Sequence, residues 1–168
     1  MLRFKTARLN IRNVEESDFD ALLRIYNRKK NMQYVSDGNY RWAKKELVAK
    51  YRKFNQHIKD GYGIFAVELK DTNQIIGEAG LFNSFDDLSV LELGYIIDSA
   101  FWQQGYGTEI CQALIDYAFS TLKTEQLIAR MYAANHASVL VSEKCGMKRV
   151  KNGFASDGQE FLEYAIKC

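Results

Sequence analysis

Seven residues of this chain, Trp102-Gln103-Gln104-Gly105-Tyr106-Gly107-Thr108, set two closely spaced glycines at the start of a strongly apolar helical pattern. Such a turn can aim backbone N–H groups at an anion. Glycine lets the main chain approach closely, and the free N–H groups of a helix start add positive potential. The chemistry this suits is recognition of a pyrophosphate, although a plain strand-to-helix turn accounts for the same residues equally well. Spacing excludes two better-known phosphate binders. A dinucleotide fingerprint counted from Gly105 and Gly107 needs a third glycine at position 110, where Ile110 stands, and a P-loop needs Gly-Lys-Ser/Thr, which is absent.

Other chemistry-bearing residues are sparse. His57 and His136 make no metal constellation, and no metal is expected. The three cysteines, Cys111, Cys145 and Cys168, are odd in number and form no C-x-x-C pair, so neither a disulfide framework nor a zinc knuckle is indicated and the redox setting reads as cytosolic. Cys145, just before Gly146 at a helix end, reads as core. Asn135 and Ser138 stand three apart, the spacing of an N-cap and the residue it serves.

Hydrophobic period shows the elements that must hold these residues. Leu9 and Ile11 alternate with Asn10 and Arg12 as a short strand. Ser17 is a candidate N-cap for a helix with Phe19, Leu22, Leu23 and Tyr26 on its apolar face. Leu47, Tyr51, Phe54 and Ile58 mark a second helix, closed by Gly61 and Gly63. The period then shortens to that of strands over 64–69, 75–82 and 90–97, an antiparallel meander punctuated at Asp71-Thr72-Asn73 and Ser84-Phe85-Asp86-Asp87. A strong helix runs from Gly107 to about Leu122, with Ile110, Leu114, Ala118 and Leu122 on one row and Cys111, Ile115 and Phe119 on the next. Leu127, Ala129 and Met131 begin another strand, and Ala137, Leu140 and Val141 mark a short helix ending at Gly146. A final hairpin turns at Asp157-Gly158, which separates two apolar runs better than Asn152-Gly153 does. The order is β α α β β β α β α β β, a mixed α+β domain.

Composition narrows the partners. At 168 residues, 47% hydrophobic and 26% charged, with no linker or repeat, one domain over residues 1–168 is expected. A net charge of +2 is too small to make a polyanion the main partner, and Arg28-Lys29-Lys30 and Lys44-Lys45 read as solvated helix faces, so nucleic acid is not expected. The first residues hold no apolar core of a signal peptide, and no stretch approaches the ~20 apolar residues of a membrane span. A soluble, cytoplasmic protein with no membrane partner is expected. Proline is absent, so the turns rest on Gly, Asn and Asp.

Three segments carry a family likeness. Thr6-Ala7-Arg8-Leu9-Asn10-Ile11-Arg12 is similar to a T-x-R-L-x-L-R opening strand. Glu92-Leu93-Gly94-Tyr95-Ile96-Ile97-Asp98 and then Trp102 to Glu109 are similar to E-I/L-G-Y-x-I/L-D and W-G-K-G-Y-A-T-E. Asn135-His136-Ala137-Ser138 and Glu143-Lys144-Cys145-Gly146-Met147 are similar to N-x-x-S and E-K-x-G-F. Together, in this order and over nearly the full length, they make the chain resemble the GNAT N-acetyltransferases and, within them, the RimJ/RimL-like branch that includes ribosomal-protein N-terminal acetyltransferases. The departures are few. Trp102 replaces the wider family's Gln or Arg, Gln103-Gln104 replaces Gly-Lys and removes a lysine from the loop, Met147 replaces Phe, and Ser142 stands where many members carry an acidic tyrosine.

The resemblance implies a GNAT-type fold: a mostly antiparallel twisted sheet of about seven strands, splayed at the fourth, with about four helices. It implies direct acetyl transfer from acetyl-CoA to an amine in a ternary complex. An alkylammonium with a pKa near 10 must first lose a proton, which a carboxylate can take directly or through water. The family position falls on Glu92, with Glu78 on the neighbouring strand and water as alternatives; read without the family, Glu92 is a polar residue on a solvated strand face. The cofactor-binding residues implied are the main chain at Tyr95, Ile96 and Ile97, the turn Gln103, Gln104, Gly105, Tyr106, Gly107 and Thr108, and Asn135, Ser138 and Lys144. Ser138 is the implied donor to the departing thiolate, with Ser142 and solvent left open. Tyr34, Tyr40 and Trp42 fall on the acceptor side, where Trp42 serves equally well as core. The acceptor is a protein N-terminus or a small-molecule amine, and a homodimer is left open. A non-catalytic acyl-CoA sensor on the same fold is the rival reading.

Overall fold

Alternation decides the first strand pairs. Leu9 and Ile11 are fully buried while Asn10 and Arg12 between them are half-buried, as a strand with one face on a core requires. The computed structural model describes residues 1–168. Its strands are β1 (Leu2–Lys5), β2 (Leu9–Asn13), β3 (Gly63–Leu69), β4 (Ile75–Asn83), β5 (Leu91–Ile97), β6 (Gln126–Tyr132), β7 (Lys148–Phe154) and β8 (Glu160–Lys167). Its helices are α1 (Phe19–Tyr26), α2 (Lys29–Met32), α3 (Lys44–Phe54), α4 (Tyr106–Ser120) and α5 (His136–Lys144). The strands are hydrogen-bonded in the order β1-β2-β3-β4-β5-β6-β8-β7. This is the mixed α/β class expected, with eight strands in place of about seven and five helices in place of about four. The chain divides into two units, Met1–Gly80 with Tyr95–Tyr106, and Leu81–Gly94 with Gly107–Cys168.

In the first unit β1 adds antiparallel to β2, and β2 pairs with β3 from Leu9↔Leu69 to Asn13↔Phe65. Leu22, Ile25 and Tyr26 of α1 and Leu47 and Tyr51 of α3 join Met32, Ile64 and Ile96 in a core cluster, with Phe19, Leu23 and Trp42 packed against it. Each large apolar side chain so buried contributes about 1.5–3 kcal/mol.

Three expectations are corrected in this unit. Ser17 lies inside a 3-10 turn over Glu16–Asp18 and is not the cap. Asp18 instead accepts from the Glu15 N–H at 2.8 Å and forms a two-pronged pair with Arg12 at 2.7 and 2.9 Å. The second helix stops at Phe54 because the Asn55 side chain turns to the Ile64 backbone, accepting from its N–H at 2.7 Å and donating to its C=O at 3.1 Å. Ile58 therefore falls in a separate 3-10 turn, and Gly63 opens β3 rather than closing a helix.

In the second unit α4 buries Ile110, Cys111, Leu114, Ile115 and Ala118, the two rows expected. Leu122 lies beyond its end. β6 and β8 pair antiparallel over seven positions from Gln126↔Lys167 to Tyr132↔Phe161, and β7 lies on the far side of β8. The hairpin turns at Asp157-Gly158: the Gly158 N–H donates to the Ala155 carbonyl at 2.9 Å, and Asp157 accepts from the Gln159 N–H at 3.0 Å. Asn152 and Gly153 lie within β7. β5 and β6 are parallel and pair only at Leu91↔Leu127 and Glu92↔Ile128, so the ladder stops early on the strand where a splay was expected. No helix is long and apolar enough to cross a membrane.

Candidate active site

The turn before α4 is shaped by its backbone and braced by residues distant in sequence. Gln103 and Gly105 both take positive φ, 60° and 82°. Glycine adopts this conformation freely and a branched residue does not. Alternating backbone of this kind makes a concavity of N–H groups suited to an anion. Arg8 holds the turn from one side: its guanidinium donates to the Gln104 carbonyl at 2.9 Å and lies 4.0 Å from the Tyr106 ring centroid. Asp98 holds the other. It accepts from Arg28 at 2.9 and 3.2 Å and from Asn31 at 3.3 Å, while the Asn31 carbonyl oxygen takes the Ser99 N–H at 2.8 Å.

Trp102 is part of the same brace. Its indole N–H donates to the Ile97 carbonyl at 2.7 Å and Lys30 lies 5.3 Å from its ring. The cation missing from the loop sequence is thus supplied from elsewhere, since a Cβ on Gly105 would stand 3.4 Å from the Arg8 guanidinium. Sequence reading missed Arg8, Arg28 and Asn31 as parts of this turn. The available signal was Arg8 in the opening-strand motif.

Tyr95, Ile96 and Ile97 end β5 at the beginning of this segment. Gly77 of β4 comes so close to them that a Cβ there would meet the Ile96 carbonyl oxygen at 2.0 Å, which only glycine allows. Ile96 and Ile97 are buried and Tyr95 half-buried, so the side chains contribute to packing and the chemistry available here is that of the main chain.

Glu92 is not on a solvated face. Its side chain is 9% exposed, its Oε2 has no hydrogen-bond partner, and the nearest cation is the Arg130 Nη1 at 4.0 Å. Burial pushes its pKa up to about 7; Arg130 opposes this, and the negative charges of Glu163 and Asp86 add to it. A carboxylate with a free oxygen and a pKa near neutrality can take and release a proton under ordinary conditions. Glu78 differs. It is buried in the first unit with the Tyr26 hydroxyl on Oε1 at 2.7 Å, Lys50 also on Oε1, and the Tyr51 hydroxyl on Oε2. Burial, followed by the charge of Glu78, raises the pKa of both tyrosines and keeps them as neutral donors. With both oxygens engaged, Glu78 is built as an anchor and not as a free base.

Asn135 caps α5: its side-chain oxygen accepts the Ser138 N–H at 3.3 Å. The capping role inferred from spacing is therefore present. Ser138 is half-buried in the first turn, Ser142 one turn later is 2% exposed, and Lys144 is exposed in the last turn. Thr108 of α4 accepts from the Cys145 thiol at 3.7 Å. Cys111 and Cys145 are buried and Cys168 exposed, all as free thiols.

An open groove of about 540 Å3 in the first unit is lined by Asn27, Tyr40, Arg41, Trp42, Ala43 and Glu46. Trp42 serves both roles considered for it, since its ring also lies edge-on to Tyr26 at 5.0 Å. Tyr34 does not line the groove.

Comparison with known proteins agrees with this architecture. The family described as Acetyltransferase (GNAT) domain matches residues 8–148. YkkB of Bacillus subtilis, an uncharacterized protein, is 30% identical over 146 residues, covering 84% of this chain and 83% of its own. The crystal structure of a GNAT-family acetyltransferase from Bacillus anthracis superposes with a TM-score of 0.83 at 25% identity, over 99% of this chain and 98% of the other. RimL, a ribosomal L7/L12 alpha-N-protein acetyltransferase solved in complex with coenzyme A, gives a TM-score of 0.83 at 18% identity over 99% and 98% of the two chains, a likeness of fold.

Proposed function

The chain belongs to the GNAT acetyltransferase family, and we propose that it moves the acetyl group of acetyl-CoA directly to a primary amine in a ternary complex, as a cytoplasmic N-acetyltransferase of the RimJ/RimL-like kind acting as one domain over residues 1–168. The acceptor is the amine of a protein N-terminus or of a small molecule. The observation that carries the reading is Glu92, a buried carboxylate with one unpartnered oxygen and a pKa near neutrality.

Acetyl-CoA supplies the acetyl group as an activated thioester. The residues of the turn fit its pyrophosphate: positive φ at Gln103 and Gly105 supports an N–H concavity, and Arg8 and Lys30 bring positive charge to its flanks. Gln104, Tyr106, Gly107 and Thr108 complete this cradle, and Tyr95 to Ile97 offer main chain to the pantetheine arm. Glu92 takes the proton that the ammonium must lose. The freed amine nitrogen bonds to the acetyl carbon as the carbon–sulfur bond breaks, and the sulfur receives a proton from Ser138 or solvent. Asn135 orders the first turn of α5 and, with Lys144, completes the cofactor contacts. The free thiols of Cys111, Cys145 and Cys168 suit a reducing compartment.

The test is release of free CoA thiol from acetyl-CoA across a panel of amines: protein N-terminal peptides, polyamines, amino acids and aminoglycosides. Release that requires one of these amines is expected. Tight CoA binding with no amine-dependent release would replace the enzyme by a non-catalytic acyl-CoA sensor.

The acid is tested separately. Ser138 and Ser142 differ by one helical turn, about 5.4 Å along the axis, and a donor must come within about 3 Å of the sulfur, so both cannot serve it. Ser138→Ala is expected to lower kcat with CoA affinity retained, and Ser142→Ala to leave kcat nearly unchanged. Steady-state kinetics with the opposite pattern would move the role to Ser142, and two unaffected variants would assign it to solvent.

A further inference from the structure

Arg130 of β6 stands at the centre of a charged cluster in the second unit. Its Nε donates to Glu163 of β8 at 2.8 Å, directly across the Arg130↔Glu163 strand pair, and its Nη2 to Asp86 of the β4–β5 loop at 2.7 Å. Lys151 of β7 also reaches Asp86, at 3.6 Å. These two carboxylates hold the guanidinium plane, and they leave Nη1 facing Glu92 Oε2 at 4.0 Å. That distance is too long for a direct hydrogen bond and short enough for a strong charge interaction in a buried setting. Glu92 thus has one cation and two anions acting on it, and the cation is itself fixed by the two anions.

We infer that Arg130, clamped by Glu163 and Asp86, is the positioning residue of Glu92: it holds that carboxylate in the ionised, proton-accepting form while leaving its oxygen free. The inference rests on Glu92 as the base proposed above. A direct salt bridge would occupy Oε2 and stabilise the charge too strongly for the oxygen to accept a proton readily, whereas no cation at all would leave three carboxylates together and drive Glu92 to its neutral form. The clamp makes the intermediate arrangement stable, because the guanidinium donates its direct hydrogen bonds to Glu163 and Asp86.

An opposite charge within about 4–6 Å lowers a carboxyl pKa by about 1–3 units. In Arg130→Met the acidic limb of the kcat/KM profile is therefore expected to move up by about one pH unit or more, with the high-pH plateau retained and a roughly tenfold lower rate on the limb. Arg130→Lys should restore part of the shift. Asp86→Asn should move the limb the other way by a fraction of a unit, and because Asp86 is 60% exposed this variant tests the inference even if Arg130→Met does not fold. A residue that served packing alone would lower the plateau and leave the midpoint in place. A limb that vanishes in Glu92→Gln yet stays fixed in the Arg130 and Asp86 variants would overturn the positioning role and leave the base intact. A limb that persists in Glu92→Gln would overturn the base. Carboxyl-carbon NMR titration of Glu92 in the wild-type and Arg130→Lys chains then decides the positioning role without reference to activity: an upward shift in the lysine variant supports it, and identical midpoints refute it.

Discussion

In a Glu92→Gln variant the rate of amine acetylation at pH 7 falls by about 10²–10⁴-fold, the usual contribution of a general base. Part of the loss returns at high pH, where the acceptor amine deprotonates in solution. The same substitution changes stability with the opposite sign. Glu92 has a folded-state pKa of about 7 against an ordinary value of 4.5, so between those pH values the folded chain binds more protons than the unfolded one. Its contribution to stability is present at low pH and is lost as pH rises through this window, by on the order of 3 kcal/mol for a shift of this size. Gln carries no titrating proton and escapes this loss, although its amide is left short of a partner at every pH. Thermal melts at pH 5 and pH 8 should therefore show Glu92→Gln gaining on the wild type as pH rises. A difference in melting temperature that stays constant between the two pH values would refute the buried, raised carboxyl, and an unaltered pH–rate profile would remove Glu92 from the chemistry.

Gly105→Val is expected to weaken CoA binding by about 10²-fold or more while the chain still folds. At φ 82° a β-branched residue is strained by roughly 1–2 kcal/mol, and its Cβ would stand 3.4 Å from the Arg8 guanidinium that braces the turn. Relief of either strain moves the backbone N–H groups. Each charge-assisted hydrogen bond to a phosphate is worth about 1.5–3 kcal/mol, so losing one or two accounts for the expected factor. The core cluster of α1, α3, Ile64 and Ile96 does not include position 105, and the turn is surface backbone. Calorimetry would report the affinity and circular dichroism the fold. Unchanged CoA affinity in a folded Gly105→Val chain would take the pyrophosphate away from this turn.

What the sequence by itself determined is whatever a short window of residues encodes. The two apolar rows of α4, the strands over 63–69, 75–83 and 91–97, and the turn at Asp157-Gly158 were all legible, because period and turn chemistry act over a few residues. β1 was missed because Leu2-Arg3-Phe4-Lys5 is too short to show a period, and its pairing with β2 makes it a strand. α3 ended early because Asn55 found Ile64 nine residues away, a competition no helical pattern reveals. The order of the site residues along the chain was likewise legible, whereas their electrostatics were not. Arg8 meets the Gln104 carbonyl 96 positions later, Arg130 meets Glu163 33 positions later, and Glu78 gathers Tyr26, Lys50 and Tyr51 from two helices. Only the tertiary structure decided that Glu78 is saturated with donors while Glu92 is buried with an oxygen to spare. Desolvation and Coulomb interaction depend on distance in space, and two glutamates on neighbouring strands that read alike in sequence are separated by the groups that folding brings to each.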